Sequence, residues 1–309
     1  MTSRPGFVTP RVWTDEQLGA DRRRSIENFI AEWSARGTEQ YRRVLTENIR
    51  LAADLLEATD DLLRFSSGQA LADVPSRTNI ARYLSGPPIS SDDLDTLADQ
   101  SVAKRKRLPR DLAQKAASLI AAAIDRDRFQ WLFDDPPRRP TVEERQAAIR
   151  WTAGLRAVQN VQTSNRSESS KRQEKAVEDV LLSLGFAKVG SRPISIISEL
   201  DTSTFCRETT VVGTKCDLPV RLADGRLLLI ECKVSNSSTN SVKRLSRECG
   251  NKAGEWRRQF GEQAITAAVL AGVFKLNNLR DAQHNNRIAI FWEHNLDPLR
   301  EFVLASVRV

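Results

Sequence analysis

Between Thr14 and Phe65 no proline interrupts the chain, and apolar residues recur at helical spacing: Ile26, Phe29, Ile30 and Trp33, then Leu51 and Leu55. That period predicts a long helix. Thr14 with Gln17 has the form of a capping box that starts it. A second start lies at Pro88–Asp93, where Ser90 or Ser91 can cap a helix rich in early acids. Pro136, Pro137 and Pro140 break the pattern, and Thr141-Val142-Glu143-Glu144 restarts it. The first half therefore reads as almost wholly helical.

Thr163–Lys171 (TSNRSESSK) is polar and serine-rich, the composition of a linker or exposed loop. Beyond it the pattern changes. A helix over Gln173–Leu184 ends at Gly185, a C-cap residue. Strand-like stretches follow at Thr209–Val212, Lys215–Leu222 and Arg226–Val234, the last two flanking the turn signal Ala223-Asp224-Gly225. A basic helix near Lys252–Glu262, an apolar run Ala267–Phe274, a helix near Asn277–Gln283 and a strand Arg287–Trp292 complete the chain. This order predicts an α/β (α+β) protein: a helical region over residues 1–163, then a mixed central sheet flanked by helices over 164–309.

Composition narrows the function. The 309 residues carry 47 lysines and arginines against 40 acids, a net charge of +7. That excess points to an anionic partner, with nucleic acid the first candidate and a merely solvated basic surface the other. No apolar run is long enough to span a membrane. Met1–Trp13 lacks a secretion-signal layout, so a cytoplasmic location is expected. The four cysteines form no C-x-x-C pair and are expected as buried, reduced thiols. With only two histidines, His284 and His294, a His/Cys zinc site is not expected, and there is no P-loop.

The chemistry concentrates in Gly213–Ser238, GTKCDLPVRLADGRLLLIECKVSNSS. Along the second strand Glu231 and Lys233 share one face, while Leu228, Ile230, Cys232 and Val234 face the other. Two carboxylates close together make a hard oxygen site suited to Mg²⁺, and Lys233 is placed to meet a phosphate or a water. Asp217 on the preceding strand supplies the second carboxylate only if the hairpin register allows it. A two-residue Asp224-Gly225 turn would pair Asp217 with Cys232 and turn it away from Glu231. Convergence requires a bulge or an odd-length loop, and Pro219 favours such an irregularity. In the preceding helix, Glu174 lies closer than Glu178 to the apolar side formed by Val177, Val180, Leu181 and Leu184.

Asp217, Glu231-Cys232-Lys233 and Glu174 resemble the active-site signature of the PD-(D/E)XK nuclease superfamily. ECKVSNSSTNSVKRL, GVFKLNNL, IAIFWEHNLDPL and the upstream GPPISSDDLDTLA are similar to the type II restriction endonucleases related to XamI. The resemblance covers most of the chain. It implies an Mg²⁺-dependent DNA endonuclease in which Asp217, Glu231 and the Cys232 carbonyl hold the metal and Lys233 positions the nucleophilic water. Glu174 would be the helical acid. Cys216 stands where the signature has proline. A homodimer cutting both strands of a palindromic DNA site is expected. A repair or junction-resolving nuclease of the same fold, and a DNA-binding protein without catalysis, are the alternatives.

The polar and basic stretch after Lys233 is the expected DNA interface: Ser235, Asn236, Ser238, Asn240, Lys243, Arg244, Arg247, Lys252 and Arg257. A second basic cluster, Lys104–Arg107 with Arg110, suits a duplex clamp or a solvated charge run equally. Trp13, Trp33, Trp131, Trp151 and Trp256 are expected as packing residues, and His294 as a structural histidine.

Overall fold

A computed structural model of the chain describes residues 7–307, so the expectation placed on Met1–Trp13 falls partly outside the described residues. Nothing is described of the side chains of Arg36, Arg166, Ser167, Asn240, Lys243 and Ser246. The helices are α1 (Asp15–Ala58), α2 (Gln69–Asp73), α3 (Thr78–Ala81), α4 (Ser91–Ala98), α5 (Arg110–Ala122) and α6 (Val142–Ser183), then α7 (Ser238–Ser241), α8 (Gly250–Phe260), α9 (Leu276–His284) and α10 (Asp297–Ala305). The strands are β1 (Ala187–Lys188), β2 (Thr204–Phe205), β3 (Thr209–Val211), β4 (Thr214–Cys216), β5 (Leu218–Arg221), β6 (Leu227–Ser235), β7 (Ala264–Gly272) and β8 (Ala289–Trp292). The chain divides into two units: Arg36–Ser164, and Met1–Ala35 together with Asn165–Val309.

The helix starts form where their caps stand. The Thr14 amide donates to Gln17 Oε1 at 3.1 Å, and the Gln17 amide donates back to Thr14 Oγ1 at 3.3 Å. Thr141 and Glu144 exchange the same pair of bonds at 2.7 and 3.2 Å. Ser90 caps α4, accepting from the Asp93 amide at 3.0 Å. The Arg36–Ser164 unit is helical around a core that includes Leu55, Phe65, Leu71, Leu84, Leu112, Ile120, Phe129 and Trp131. Its buried cation, Arg128, donates to the carbonyls of Tyr83, Leu84 and Ser85 and to Thr152 Oγ1.

Thr163–Lys171 is not a linker. It is the middle of α6, which runs without a break through it. Serine and asparagine lower helix propensity by only a few tenths of a kcal/mol each, and no glycine or proline stands there to end the helix. Trp33 and Trp151 also depart from expectation: they are exposed, whereas Trp13, Trp131 and Trp256 are buried. A long helix turns side chains to every side, and only one stripe of it meets a core.

The other unit is built on a six-stranded mixed sheet in the order β1-β2-β5-β6-β7-β8, with β6, β7 and β8 parallel and β5 antiparallel to β6. Helices cover both faces, as the element order predicts. Val177 and Leu181 of α6 and Leu299 and Phe302 of α10 pack with Leu228, Ile230 and Cys232 of β6. On the opposite side Trp256 and Phe260 of α8 pack with Leu227 and Leu229, while Leu279 and Ala282 of α9 join Ala268, Leu270 and Ile290.

The expected strand Lys215–Leu222 is two strands. β4 pairs with β3 through Thr209↔Cys216 and Val211↔Thr214, in a sheet of its own. Val212 and Gly213, both at positive φ, make the two-residue turn that closes this hairpin. The chain bends at Asp217 before β5 begins. Among the described residues no helix is long and apolar enough to cross a membrane.

Candidate active site

The site rests on the register of one hairpin. β5 and β6 pair Leu218↔Ile230, Pro219↔Leu229, Val220↔Leu228 and Arg221↔Leu227. The Leu222 amide continues the ladder to the Arg226 carbonyl at 2.8 Å, leaving Ala223-Asp224-Gly225 as a three-residue loop. Gly225 takes the left-handed conformation, φ +88°, that such a loop needs at its last position. Asp224 and Arg226 form a buried ion pair at 2.6 Å that ties the loop down. The odd length required for convergence is therefore present. One step beyond Leu218↔Ile230, Asp217 stands opposite Glu231, and directly opposed residues share a face.

Lys233 lies two residues beyond Glu231 on the same side of β6, and its ammonium joins the two acids. Nζ is 2.8 Å from Asp217 Oδ2 and 2.8 Å from Glu231 Oε2. Asp217 Oδ2 also accepts from the Cys232 amide at 2.7 Å, so backbone and side chain together fix its orientation. Glu231 has no exposed side-chain surface. Its Oε2 takes a second ammonium, Lys252 Nζ of α8, at 2.7 Å. Its Oε1 is buried without a hydrogen-bond partner among the described residues. A buried, unsatisfied carboxylate oxygen beside a second carboxylate is an energetic liability unless something positive completes it.

Burial opposes the charge on Lys233, but Asp217 and Glu231 outweigh it and hold the ammonium's pKa above the ordinary lysine value. Lys233 is thus a fixed positive charge at neutral pH. Burial, and then the nearby negative charge of Asp217, push the Glu174 carboxyl above the usual range. Burial pushes the Cys249 thiol up to about 12 and raises Cys216 and Cys232 as well, so these thiols stay protonated. All four cysteines are free and buried.

The two helical acids have separate situations. Glu178 is engaged by Lys188 at 2.6 Å and by Arg207 at 2.6 Å. Glu174, half-buried, senses Asp217 instead. Burial raises the Glu178 carboxyl, but Lys188 and Arg207 overcome it and hold it below the usual carboxylate range. Such a group adds stability above its unfolded pKa, about 4.3, and that stability is lost as pH falls through the folded value. The urea midpoint of the wild type should therefore fall more steeply than that of Glu178→Gln between about pH 5 and 3. Parallel curves would show the ion pairs to be energetically silent.

The expected DNA-contact residues are spread over several settings. Ser238–Cys249 is helical, α7 followed by π-helical turns, not an open loop. Asn236 and Arg247 are exposed, and Ser238 and Arg244 half-buried. Ser235 is buried, donating to the Ser237 carbonyl at 2.8 Å. Arg257 donates to the Asn286 carbonyl at 2.9 Å. The side chains of Asn240 and Lys243 lie outside the described residues. Lys252 points at Glu231, a contact that sequence spacing gave no means to find. His294 rests against Asp21 at 3.1 Å.

Asp217 and Glu231 offer hard oxygen donors, and the orphaned Glu231 Oε1 is a ready acceptor for a small divalent cation that keeps several of its own waters. Among the described residues no group of three or more His, Cys, Asp or Glu side chains could enclose a metal alone. The donor set is that of a site sharing a hard divalent ion with water or substrate oxygens, and not of a closed protein cage.

Comparison with known proteins agrees in kind. The family described as XamI restriction endonuclease matches residues 61–292. A protein described as type II restriction enzyme XamI, from Xanthomonas campestris pv. amaranthicola, is 38% identical over 276 residues, covering 86% of this chain and 96% of that one. No solved structure matches.

Proposed function

The chain belongs to the XamI restriction endonuclease family, and on that premise we propose that it is a type II restriction endonuclease, cutting double-stranded DNA at a specific sequence by phosphodiester hydrolysis. The observation that carries the chemistry is the convergence of Asp217, Lys233 and Glu231 on one face of β6, with one buried carboxylate oxygen left unpaired.

Asp217 and Glu231, with the Cys232 carbonyl beside them, are the residues that would hold Mg²⁺. When bound, the ion supplies a low-pKa water and positive charge against the phosphate oxygens. The protein's own part is positional and electrostatic. The Cys232 amide fixes Asp217. Lys233 keeps a full positive charge where the attacking water and the phosphate meet, and that charge opposes the build-up of negative charge in the transition state. Glu174, its carboxyl raised, stands near Asp217 as a third acid able to order water. No histidine takes part. Asn236 and Arg247, both exposed, and the half-buried Arg244 follow β6 in the chain and are candidates for backbone and base-edge contacts. A palindromic target calls for a two-fold dimer, each copy presenting one such site.

Plasmid digestion tests the reading. With Mg²⁺ the wild type should yield discrete fragments, and with EDTA none. A smear would identify a nonspecific nuclease, and DNA that is retarded in a gel but never cut would overturn the enzymatic assignment.

A further inference from the structure

The four charged groups gathered on this face of β6 are not equally committed. Glu231 is fully buried, and Lys233, 11% exposed, is held by both Asp217 and Glu231. Lys252, in the first turn of α8, is 21% exposed and has a four-carbon stem whose head can leave. The two carboxylates of Asp217 and Glu231 and the two ammoniums of Lys233 and Lys252 already balance in charge. A divalent cation approaching Glu231 meets a lysine on the oxygen next to the free one. Two positive groups competing for one buried carboxylate repel strongly at this range.

We propose that Lys252 is a positioning residue that competes with the divalent metal for Glu231, holding its Oε2 in the metal-free protein and keeping metal affinity low until the ammonium is displaced. This rests on Asp217 and Glu231 being the metal ligands. Lys233 is shared between Asp217 and Glu231, so in the metal-free protein Lys252 supplies the second positive charge that the two carboxylates need. The arrangement also makes the loaded site the one with a mobile ammonium released beside it.

Mn²⁺ binding to the full-length protein without DNA, followed by electron paramagnetic resonance of the free ion, tests this. Lys252→Met should bind Mn²⁺ on the order of tenfold more tightly than wild type. Lys252→Arg, which keeps the charge, should stay within a factor of about two to three of wild type. In plasmid cleavage, Lys252→Met should reach half-maximal rate at a lower Mg²⁺ concentration. A role confined to holding α8 in place would not raise metal affinity. Equal or weaker Mn²⁺ binding by Lys252→Met overturns the competition while leaving the metal ligands intact. Mn²⁺ affinity of Asp217→Asn equal to that of wild type would instead remove the ligand assignment, and the competition with it.

Discussion

Asp217→Asn should lower the rate of plasmid cleavage on the order of 10³-fold while DNA binding in a gel-shift assay and thermal stability stay near wild type. The substitution is nearly isosteric. The amide oxygen can take the place of Oδ2, keeping the bonds from the Cys232 amide and the Lys233 ammonium. The amide nitrogen then replaces the other oxygen, where a metal would need a donor of electrons and finds a donor of protons. Only the negative charge and one candidate ligand oxygen are lost. Activity within tenfold of wild type would place the reaction centre elsewhere.

Gly272→Ala should destabilise the protein by about 3 kcal/mol, combining left-handed backbone strain with the loss of a buried backbone contact. Gly272 ends β7 at φ +88°, and a Cβ there would collide with the carbonyl oxygen of Ser235 on β6. That same carbonyl accepts from the Val273 amide at 2.7 Å. Ser25 of α1 donates to the Gly272 carbonyl at 3.0 Å and accepts its amide at 2.8 Å, so the strand end is held on both sides. The backbone has no room to yield. Ser25→Ala, which removes one hydroxyl and leaves the fold free to relax, should cost only about 1 kcal/mol. A chemical-denaturation midpoint for Gly272→Ala equal to wild type would refute the packing argument. Because Ser235 lies two residues past Lys233, this variant should also lose cleavage activity before it loses structure.

The residues that converge were legible because the relevant physics is local. Face alternation along β6, and the register needed to bring Asp217 round to Glu231, follow from counting positions, and the three-residue loop supplies that register. Helix starts were legible for the same reason, since Thr14, Ser90 and Thr141 act within three residues of themselves. The Thr163–Lys171 segment misled because serine-rich composition describes preference, and the apolar contacts of Val177 and Leu181 lie in the same helix beyond it. β4 was hidden inside a longer apolar stretch because its partner, β3, is set by the Val212-Gly213 turn and not by its own pattern. The Lys252–Glu231 pair was illegible in principle. Twenty-one positions separate the two, and only the packing of α8 across the sheet brings them together.

The three-residue loop has a consequence for how such a site could be inherited or transplanted. Asp217, Glu231 and Lys233, together with the device that sets their mutual placement, lie in one uninterrupted stretch of chain closed by its own buried Asp224–Arg226 pair. Recombination on either side of that stretch would carry the reactive geometry across whole. Glu174 and Lys252, which stand beside it, belong to separate helices, α6 and α8, and would be exchanged independently. Within that stretch the length of the hairpin, more than the identity of its loop residues, fixes which side chains meet: one residue added or removed would turn Asp217 to the opposite face from Glu231.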